Sequence, residues 1–529
     1  MSDNTKRNIN FDFILNEIKP ITEYGIKTKK EAQPFVKGQE EELLIEFNKI
    51  RAFTDTKKRR EIIDILKHIK NIQEIIIRAK NDQALDIVEL FEVKNFLIQS
   101  EKLVKSLRGT LITIYDDLKI TSLPHLNEIL DPNDEKLYTF YIYDDYSKKL
   151  RNIRLEKRES DIAIRQFKKE IKDNLKIKYG IKLNLRDEIT INKAEKEKIE
   201  NLLKDENLRV SGENYLNIIF TLKNNQKIDN LEKTIEILTL NEEKEEFKIR
   251  KNISTEIKNN YDEIVENINA IGRIDFLIAK ANHAQKTNSV EPEITKNLEL
   301  IIKGGRNLKL AETLKEKHKE YVPVDVSINK NVVCITGANM GGKTVSLRMI
   351  GQIISSVSFG LFVPCDYAKL CLFEHLYISV GDDQSIEKGL STFGAEIVNL
   401  KEALENSNKR SLILIDELAG GTNPKEGYAI TKAVVNYLKK RDCITVITTH
   451  YDNVANDEEV QNLQVAGLKY DDENIKGEGF IKNIDQISKF MDYRLIEVKY
   501  QSFTPKDALN IAKLAGIDEE IIIDAERYL

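Results

Sequence analysis

The sequence predicts an α/β P-loop domain at the C-terminus, preceded by an all-α core that carries a long helical lever with a small clamp tip. Three observations predict it. The loop Gly337-Ala338-Asn339-Met340-Gly341-Gly342-Lys343-Thr344 lies between an apolar run, Val332 to Ile335, and a helical stretch, Val345 to Ile354. After residue 319 apolar strand-like runs alternate with helical segments, as an α/β sheet requires. Before about residue 145, apolar residues recur at three- and four-residue spacing.

In chain order, residues 1–145 read as the first part of the helical core, with one stripe through Ile62, Ile65, Leu66, Ile69, Ile72 and Ile76 and another through Leu85, Ile87, Val88, Leu90, Phe91 and Phe96. Residues 146–262 read as lever helices and clamp tip. From Lys148 to Arg186 there are fourteen basic and five acidic side chains, with a helical period at Ile164, Phe167, Ile171 and Leu175. Such an arm fits contact with a polyanion such as DNA, and equally fits the solvated face of a long helix packed along its Ile/Leu stripe. The arm is expected to reach Lys204. Arg209 to Lys223 then turns to β-type residues (Val210, Tyr215, Ile218, Ile219, Phe220, Leu222), with Asn224-Asn225 as a turn signal, which makes a small β-containing tip. The helical pattern is expected to resume at Glu245 and run through Ile264, Ile268, Ile271 and Phe276 to about His283. Residues 263–318 are the return to the core, with Lys286 to Lys319 a connector. Residues 319–529 are the nucleotide domain, closing with an amphipathic helical pair from Asp507 to Leu529, broken at Gly516, that packs on that domain or on its copy in a second subunit.

The loop carries the chemistry. Its glycines let backbone N–H groups turn inward around phosphates, Lys343 supplies a point charge near the transferred phosphate, and the Thr344 hydroxyl can ligate Mg²⁺. ATP with Mg²⁺ is the expected ligand pair. Leu412-Ile-Leu-Ile-Asp416-Glu417 is a strand apolar on both faces that ends in two carboxylates at the sheet edge where ligands bind. Asp416 is expected to hold the metal and Glu417 to orient and deprotonate the attacking water. A third strand, Ile444 to Ile447, leads into Thr448-Thr449-His450, which puts an imidazole at the same edge to sense the terminal phosphate.

Composition narrows the setting. The chain has 529 residues, enough for two to four domains, and 32% of them are charged. No run reaches eighteen apolar residues and the start, Met1-Ser-Asp-Asn-Thr-Lys, is polar, so neither a membrane span nor a signal peptide is expected and the location is expected to be cytoplasmic. Cys334, Cys365, Cys371 and Cys443 show no C-x-x-C spacing and read as buried thiols. A net charge of −5 gives no whole-chain basic footprint.

Between the two Walker segments stands Ser379-Val-Gly-Asp-Asp-Gln384-Ser-Ile-Glu-Lys-Gly-Leu-Ser391-Thr392-Phe393-Gly-Ala-Glu396. With the phosphate loop, Asp416-Glu-Leu-Ala-Gly-Gly-Thr-Asn-Pro-Lys-Glu-Gly427 and Thr448-Thr-His450-Tyr, it closely resembles the MutS family of ABC-type ATPases. Four motifs agree in order and spacing over the last two hundred residues or so, and Ala508 to Gly516 with Ile521 to Tyr528 resembles the family's C-terminal helices. Over residues 30–315 the resemblance rests on helix–stalk–helix order and on Arg273-Ile-Asp-Phe-Leu-Ile-Ala-Lys-Ala. The wording is nearer to the truncated second branch than to the mismatch-repair proteins. The resemblance implies a hydrolase that turns ATP and water into ADP and phosphate as a homodimer with composite sites. Lys343, Thr344, Asp416, Glu417 and His450 act in one subunit, Ser391 and Thr392 reach the phosphate held by the other, and Asn339 matches the family's asparagine in the phosphate loop.

The departures from the family are also informative. No Phe-x-Glu wedge occurs, the chain begins near the helical core, and it stops at Leu529 where the second branch goes on into a nuclease-like domain. Ala338 replaces the usual proline, and Gln501-Ser-Phe-Thr-Pro505 stands where the repair proteins have a glycine-serine stretch. The resemblance therefore implies a nucleotide-driven clamp on double-stranded or branched DNA, of the mismatch-repair and recombination type but without mismatch reading. The alternative it offers is a protein client, as for the reactivating ATPases of adenosylcobalamin-dependent lysine or ornithine aminomutases. A transporter ATPase fits least, because Leu390-Ser-Thr-Phe replaces the Leu-Ser-Gly-Gly-Gln signature.

Overall fold

The structure, a computed structural model, describes residues 3–133, 139–337, 342–379, 392–468, 491–498, 509, 512 and 517–528. It is mixed α/β and divides into two compact units: Ile69–Val104 with Ile120–Asn267, and Met1–His68 with Lys105–Lys119 and Ile268–Leu529. No described helix is long and apolar enough to cross a membrane.

The first unit is built on two long helices, Lys148–Tyr179 and Gln226–Asn259, which pack along each other. At 32 residues the outgoing helix is roughly 48 Å long. Its ends follow from local chemistry. The Ser147 side chain accepts from Leu150 N, and Gly180 closes the helix in the left-handed conformation (φ 65°) that glycine adopts freely. Asn225, expected as a turn, caps the returning helix by accepting from Lys227 N and Ile228 N. The two helices are cross-linked by charge. Arg154 donates to Glu242 (2.8 Å), to Glu246 (2.7 Å) and to the Ile142 carbonyl (2.9 Å), while Lys157 meets the other oxygen of Glu242 (2.8 Å).

The tip is a three-stranded antiparallel sheet of β1 (Glu188–Asn192), β2 (Leu208–Glu213) and β3 (Asn217–Leu222), ordered β1-β3-β2. Helix Lys196–Leu203 lies beside it, and Leu175, Ile181, Ile199, Leu202, Phe220 and Leu222 make its core. Two expectations are corrected here. The basic arm is helical only to Tyr179, because Gly180 ends it and the alternating Glu188-Ile-Thr-Ile-Asn192 pairs with β3. The returning helix begins at Gln226, well before Glu245, because the Asn225 cap starts it there.

The second unit contains the remaining strands: β4 (Glu293–Ile294), β5 (Leu300–Gly305), β6 (Val324–Ile328), β7 (Val332–Thr336), β8 (Tyr367–Leu370), β9 (His375–Ser379), β10 (Ser411–Asp416), β11 (Cys443–Thr448), β12 (Val460–Leu468) and β13 (Met491–Glu497). Six form one sheet ordered β13-β12-β7-β11-β10-β9, in which every pair is parallel except the edge pair β12–β13. Its central strands are apolar on both faces because both faces are covered. On one side Ile413, Ile415 and Ile447 pack with Leu400 and Ala403 of helix Thr392–Glu405 and Val435 and Leu438 of helix Pro424–Leu438. On the other, Gly351 of helix Lys343–Ser358 lies so close to Leu414 and Ile378 that an added Cβ would stand 3.2 Å and 3.4 Å from them.

The stretch expected as a connector contains two strands and the helix Leu308–Glu316. Residues of β4 and β5 pair with β8, and β5 with β6, in a second sheet ordered β4-β8-β5-β6. Its strands are recruited from both sides of the phosphate loop, which no local pattern announces. The N-terminal helices belong to this unit too. Gln352 donates to the Ile9 carbonyl (2.7 Å), and the Phe11 and Phe359 rings lie 5.4 Å apart. Asp275 accepts from Ile21 N (3.0 Å), Thr22 N (2.7 Å) and the Thr22 hydroxyl (2.7 Å), and Thr22 in turn caps helix Glu23–Glu31.

All four cysteines are buried and free, as expected. Burial pushes the Cys334 and Cys365 thiols up to about 12 and Cys371 up to about 11, so none is a ready nucleophile.

His283, on helix Tyr261–Lys286, is buried with its Nδ1 unpartnered. Burial lowers it to about 4 against the pull of Glu17, and Lys286 lowers it further. The imidazole is neutral in the fold and titrates near 6.5 once unfolded, so the unfolded chain binds the extra proton between those values. Stability from this group is complete above about pH 6.5 and is lost as pH falls toward 4. Between pH 7 and 4.5 His283→Gln is expected to gain roughly 2 to 3 kcal/mol relative to the wild-type chain. Denaturant midpoints of both at the two pH values check it, and parallel losses would remove His283 from the acid response.

Candidate functional site

Strand β7 runs into Gly337 (φ 118°), and Gly342 (φ 89°) opens helix Lys343–Ser358, so both ends of the glycine-rich loop use backbone conformations that side chains resist. The room is also limited. A Cβ on Gly337 would come within 3.2 Å of Val465 on β12, and one on Gly342 within 3.2 Å of Tyr493 on β13. Ala338, Asn339, Met340 and Gly341, expected to cradle phosphate, lie outside the described residues, as does Ser391. Thr392 opens the helix that follows Ser391.

Lys343 is buried at the helix start. Its Nζ donates to the Gly337 carbonyl (2.8 Å) and lies 3.8 Å from Glu417. Burial pushes this ammonium below the usual lysine range, opposed by the carboxylates of Glu417 and Asp416. Thr344, the next residue, is half-buried on the same first turn.

Asp416 ends β10, and the parallel register sets it beside Thr448 at the end of β11. The Thr448 hydroxyl donates to Asp416 Oδ1 and accepts from Glu417 N (2.9 Å), whose hydrogen also points to the Thr448 carbonyl (3.1 Å). Glu417 is itself in the left-handed region (φ 51°), and so is Ala419 (φ 57°). For residues with a side chain this conformation is unfavourable by of order 1–3 kcal/mol each, and such outliers gather at functional sites. His450 follows β11. Its Nδ1 lies 3.7 Å from Glu417 Oε1, and its ring stands 4.8 Å from Tyr451. The His450 side chain is 46% exposed and that of Glu417 41%, so both face the open edge of the sheet.

Lys343, Asp416, Glu417 and His450 thus converge from three neighbouring strands, β7, β10 and β11, at one end of a parallel sheet, with Thr344 alongside. A cation, two carboxylates, a hydroxyl and an imidazole at such an edge can bind a charged ligand, hold a hard metal through oxygen donors, and accept a proton from water. Sequence reasoning did not single out Thr448 as a link between the carboxylates, Glu396 as an acceptor for Ala419 N (2.8 Å), or Val465 and Tyr493 as neighbours of the loop glycines. Thr448 had a usable signal, since it precedes His450 at a strand end. The others depend on which distant elements meet.

The family description MutS domain V matches residues 333–529. Among curated proteins, the chain is 27% identical over 485 residues to "Endonuclease MutS2" of Caldanaerobacter subterraneus subsp. tengcongensis, covering 88% of this chain and 57% of that protein. It is 27% identical over 547 residues to "Endonuclease MutS2" of Clostridium tetani, covering 91% and 63%. It is 35% identical over 301 residues to "Endonuclease MutS2" of Agathobacter rectalis, covering 56% and 35%. The chain spans about three-fifths of the length of the first two. The motifs read from the residues, the matched domain and these relatives agree: residues 333–529 match MutS domain V, and the chain is similar to MutS proteins of the second branch.

Proposed function

We propose that this chain is an ATP-hydrolysing, nucleotide-driven clamp that works as a homodimer on double-stranded or branched DNA, with residues 319–529 as a P-loop ATPase of the ABC/MutS type. The observation that carries the reading is the convergence of Lys343, Asp416, Glu417 and His450 at one sheet edge, where Glu417 lies within ion-pairing distance of both Lys343 and His450 and Asp416 precedes it at the strand end. Lys343 leaves the Gly337 carbonyl to bind the terminal phosphates, for which the loop glycines open the backbone. Asp416 and the Thr344 hydroxyl offer the hard oxygen donors that Mg²⁺ takes, and the ion supplies charge neutralisation on the phosphates. Glu417 orients water and accepts its proton, while His450, beside it, stabilises the charge that develops at the terminal phosphate. One chain exposes this edge, so a second copy, reaching in with Ser391 and Thr392, completes the cage around the phosphate.

Phosphate release from ATP, measured with and without Mg²⁺ and with no DNA, plain duplex, mismatched duplex or four-way junction, tests the proposal. Mg²⁺-dependent turnover stimulated by duplex or junction is expected, with no preference for the mismatch. A chain that releases no phosphate from ATP with Mg²⁺ would end the ATPase reading, and indifference to every DNA would end the DNA reading.

A further inference from the structure

We propose that Glu396 and Thr448 are positioning residues for hydrolysis, together holding the turn that presents Glu417, and that Glu396 makes this turn answer to the seat of the helix after Ser391. The inference rests on the ATPase reading above and assigns roles to two side chains that reading leaves idle.

The turn Glu417–Gly420 contains two left-handed residues that are not glycine, so only its surroundings keep it in shape. Those surroundings are specific. Glu417 N meets the Thr448 hydroxyl and carbonyl at the end of β11, and the Leu418 carbonyl accepts from Thr431 (3.1 Å) on helix Pro424–Leu438. Ala419 N donates to Glu396 Oε1 (2.8 Å) on helix Thr392–Glu405, the Ala419 carbonyl accepts from Tyr451 (3.4 Å), and Gly420 N closes onto the Glu417 carbonyl (3.0 Å). Leu418, Ala419, Thr431 and Thr448 are buried.

Thr448 acts on both carboxylates at once. One hydroxyl donates to Asp416 and accepts from Glu417 N, so the side chain proposed for the metal and the one proposed for the water share a reference point. Glu396 acts from elsewhere in the domain. It stands on the first turns of the helix that begins directly after Ser391, and Leu400 and Ala403 of that helix pack into the same core as Leu418 and Ala419. A shift of this helix on closure by a second copy therefore pulls on Ala419 N and rotates the turn that carries Glu417. The direction of influence is from the segment offered to the partner toward the site in the same chain.

Four variants of the full chain test this: Glu396→Ala, Glu396→Gln, Thr448→Val and Thr448→Ser. Their kcat and KM for ATP, Kd for a fluorescent ATP analogue, Mg²⁺ dependence and melting temperature are the readouts. Glu396→Ala and Thr448→Val are expected to lower kcat by roughly 10², the scale of a misplaced reacting group, with nucleotide affinity kept. Glu396→Gln keeps an acceptor oxygen and Thr448→Ser keeps the hydroxyl, so both recover most of the rate, and Thr448→Val alone shifts half-saturation to higher Mg²⁺. The wild-type rate per subunit rises with protein concentration as copies meet, and in Glu396→Ala that rise flattens. Wild-type kcat in Glu396→Ala and Thr448→Val, Glu396→Gln as impaired as Glu396→Ala, or a wild-type rate independent of concentration would overturn the proposal. If Thr448→Val melts early, the Thr448→Ser and Glu396→Gln recoveries still decide it. A wild-type chain without ATPase activity is a different failure, that of the underlying function.

Discussion

Glu417→Gln is expected to bind ATP as the wild-type chain does and to turn it over slower by roughly 10² to 10⁴, the usual contribution of a positioned general base. The substitution is nearly isosteric and keeps a polar group at the sheet edge. The Glu417 backbone is held by Thr448, and Gln can adopt the same left-handed φ with the same strain, so the turn is preserved. What is lost is a proton acceptor 3.7 Å from the His450 imidazole. The Lys343 ammonium also loses a carboxylate neighbour at 3.8 Å, which favours rather than hinders its engagement with phosphate. Affinity is therefore expected to hold or rise while kcat falls, a pattern that a merely destabilised fold does not give. Single-turnover phosphate release with a parallel binding titration separates the two. A variant with near-normal turnover would take Glu417 out of its proposed role and leave His450 as the remaining base at that edge.

The strand before Gly337, the strand ending at Asp416 and the strand before His450 were legible because a parallel sheet covered on both faces forces near-continuous apolar runs. Their adjacency was legible only through the motifs, since no residue in β10 states that β11 is its neighbour. For that reason the Asp416–Thr448 pairing is not legible from the two motifs, although each residue stands at a strand end. Val465 and Tyr493 come from strands β12 and β13, which meet the loop only because β12 pairs with β7 in parallel register. The lever fails differently. Helix Gln226–Asn259 does show a period at Ile228, Leu231, Ile235 and Leu238, but its charge density hides it, and Glu242, Glu245 and Glu246 prove to be partners of the basic helix opposite. Leu300–Gly305, within the expected connector, is a strand because pairing with β6 and β8, rather than local propensity, decides it.

The lever also sets the second large effect, the response to salt of the DNA binding proposed above. Of the fourteen basic side chains between Lys148 and Arg186, the structure engages Lys149, Arg151, Arg154, Lys157, Lys172 and Lys178 in ion pairs with acidic residues. The remaining eight, among them Arg158, Arg165, Lys176, Lys182 and Arg186, are the charges available to phosphates. If all eight engage, log K against log salt has a slope of roughly −7, and affinity falls by roughly 10⁴ between 50 and 200 mM salt. That slope is a ceiling, since each charge that stays solvated removes about 0.9 from it. Lys182→Ala combined with Arg186→Ala is then expected to flatten the slope by about 2 without altering stability, because both are exposed and neither is in an ion pair among the described residues. Arg154→Ala is expected to do the reverse. It removes the cross-link to Glu246 and one of the two to Glu242, which keeps Lys157, and so loosens the helix pair, while the slope stays where it was. Fluorescence anisotropy of a labelled duplex across salt, for the wild-type chain and both variants, reads the two effects apart. A wild-type slope near zero would make the arm a packed, solvated helix and nothing more, and the clamp would then need a grip other than phosphate contacts from this helix.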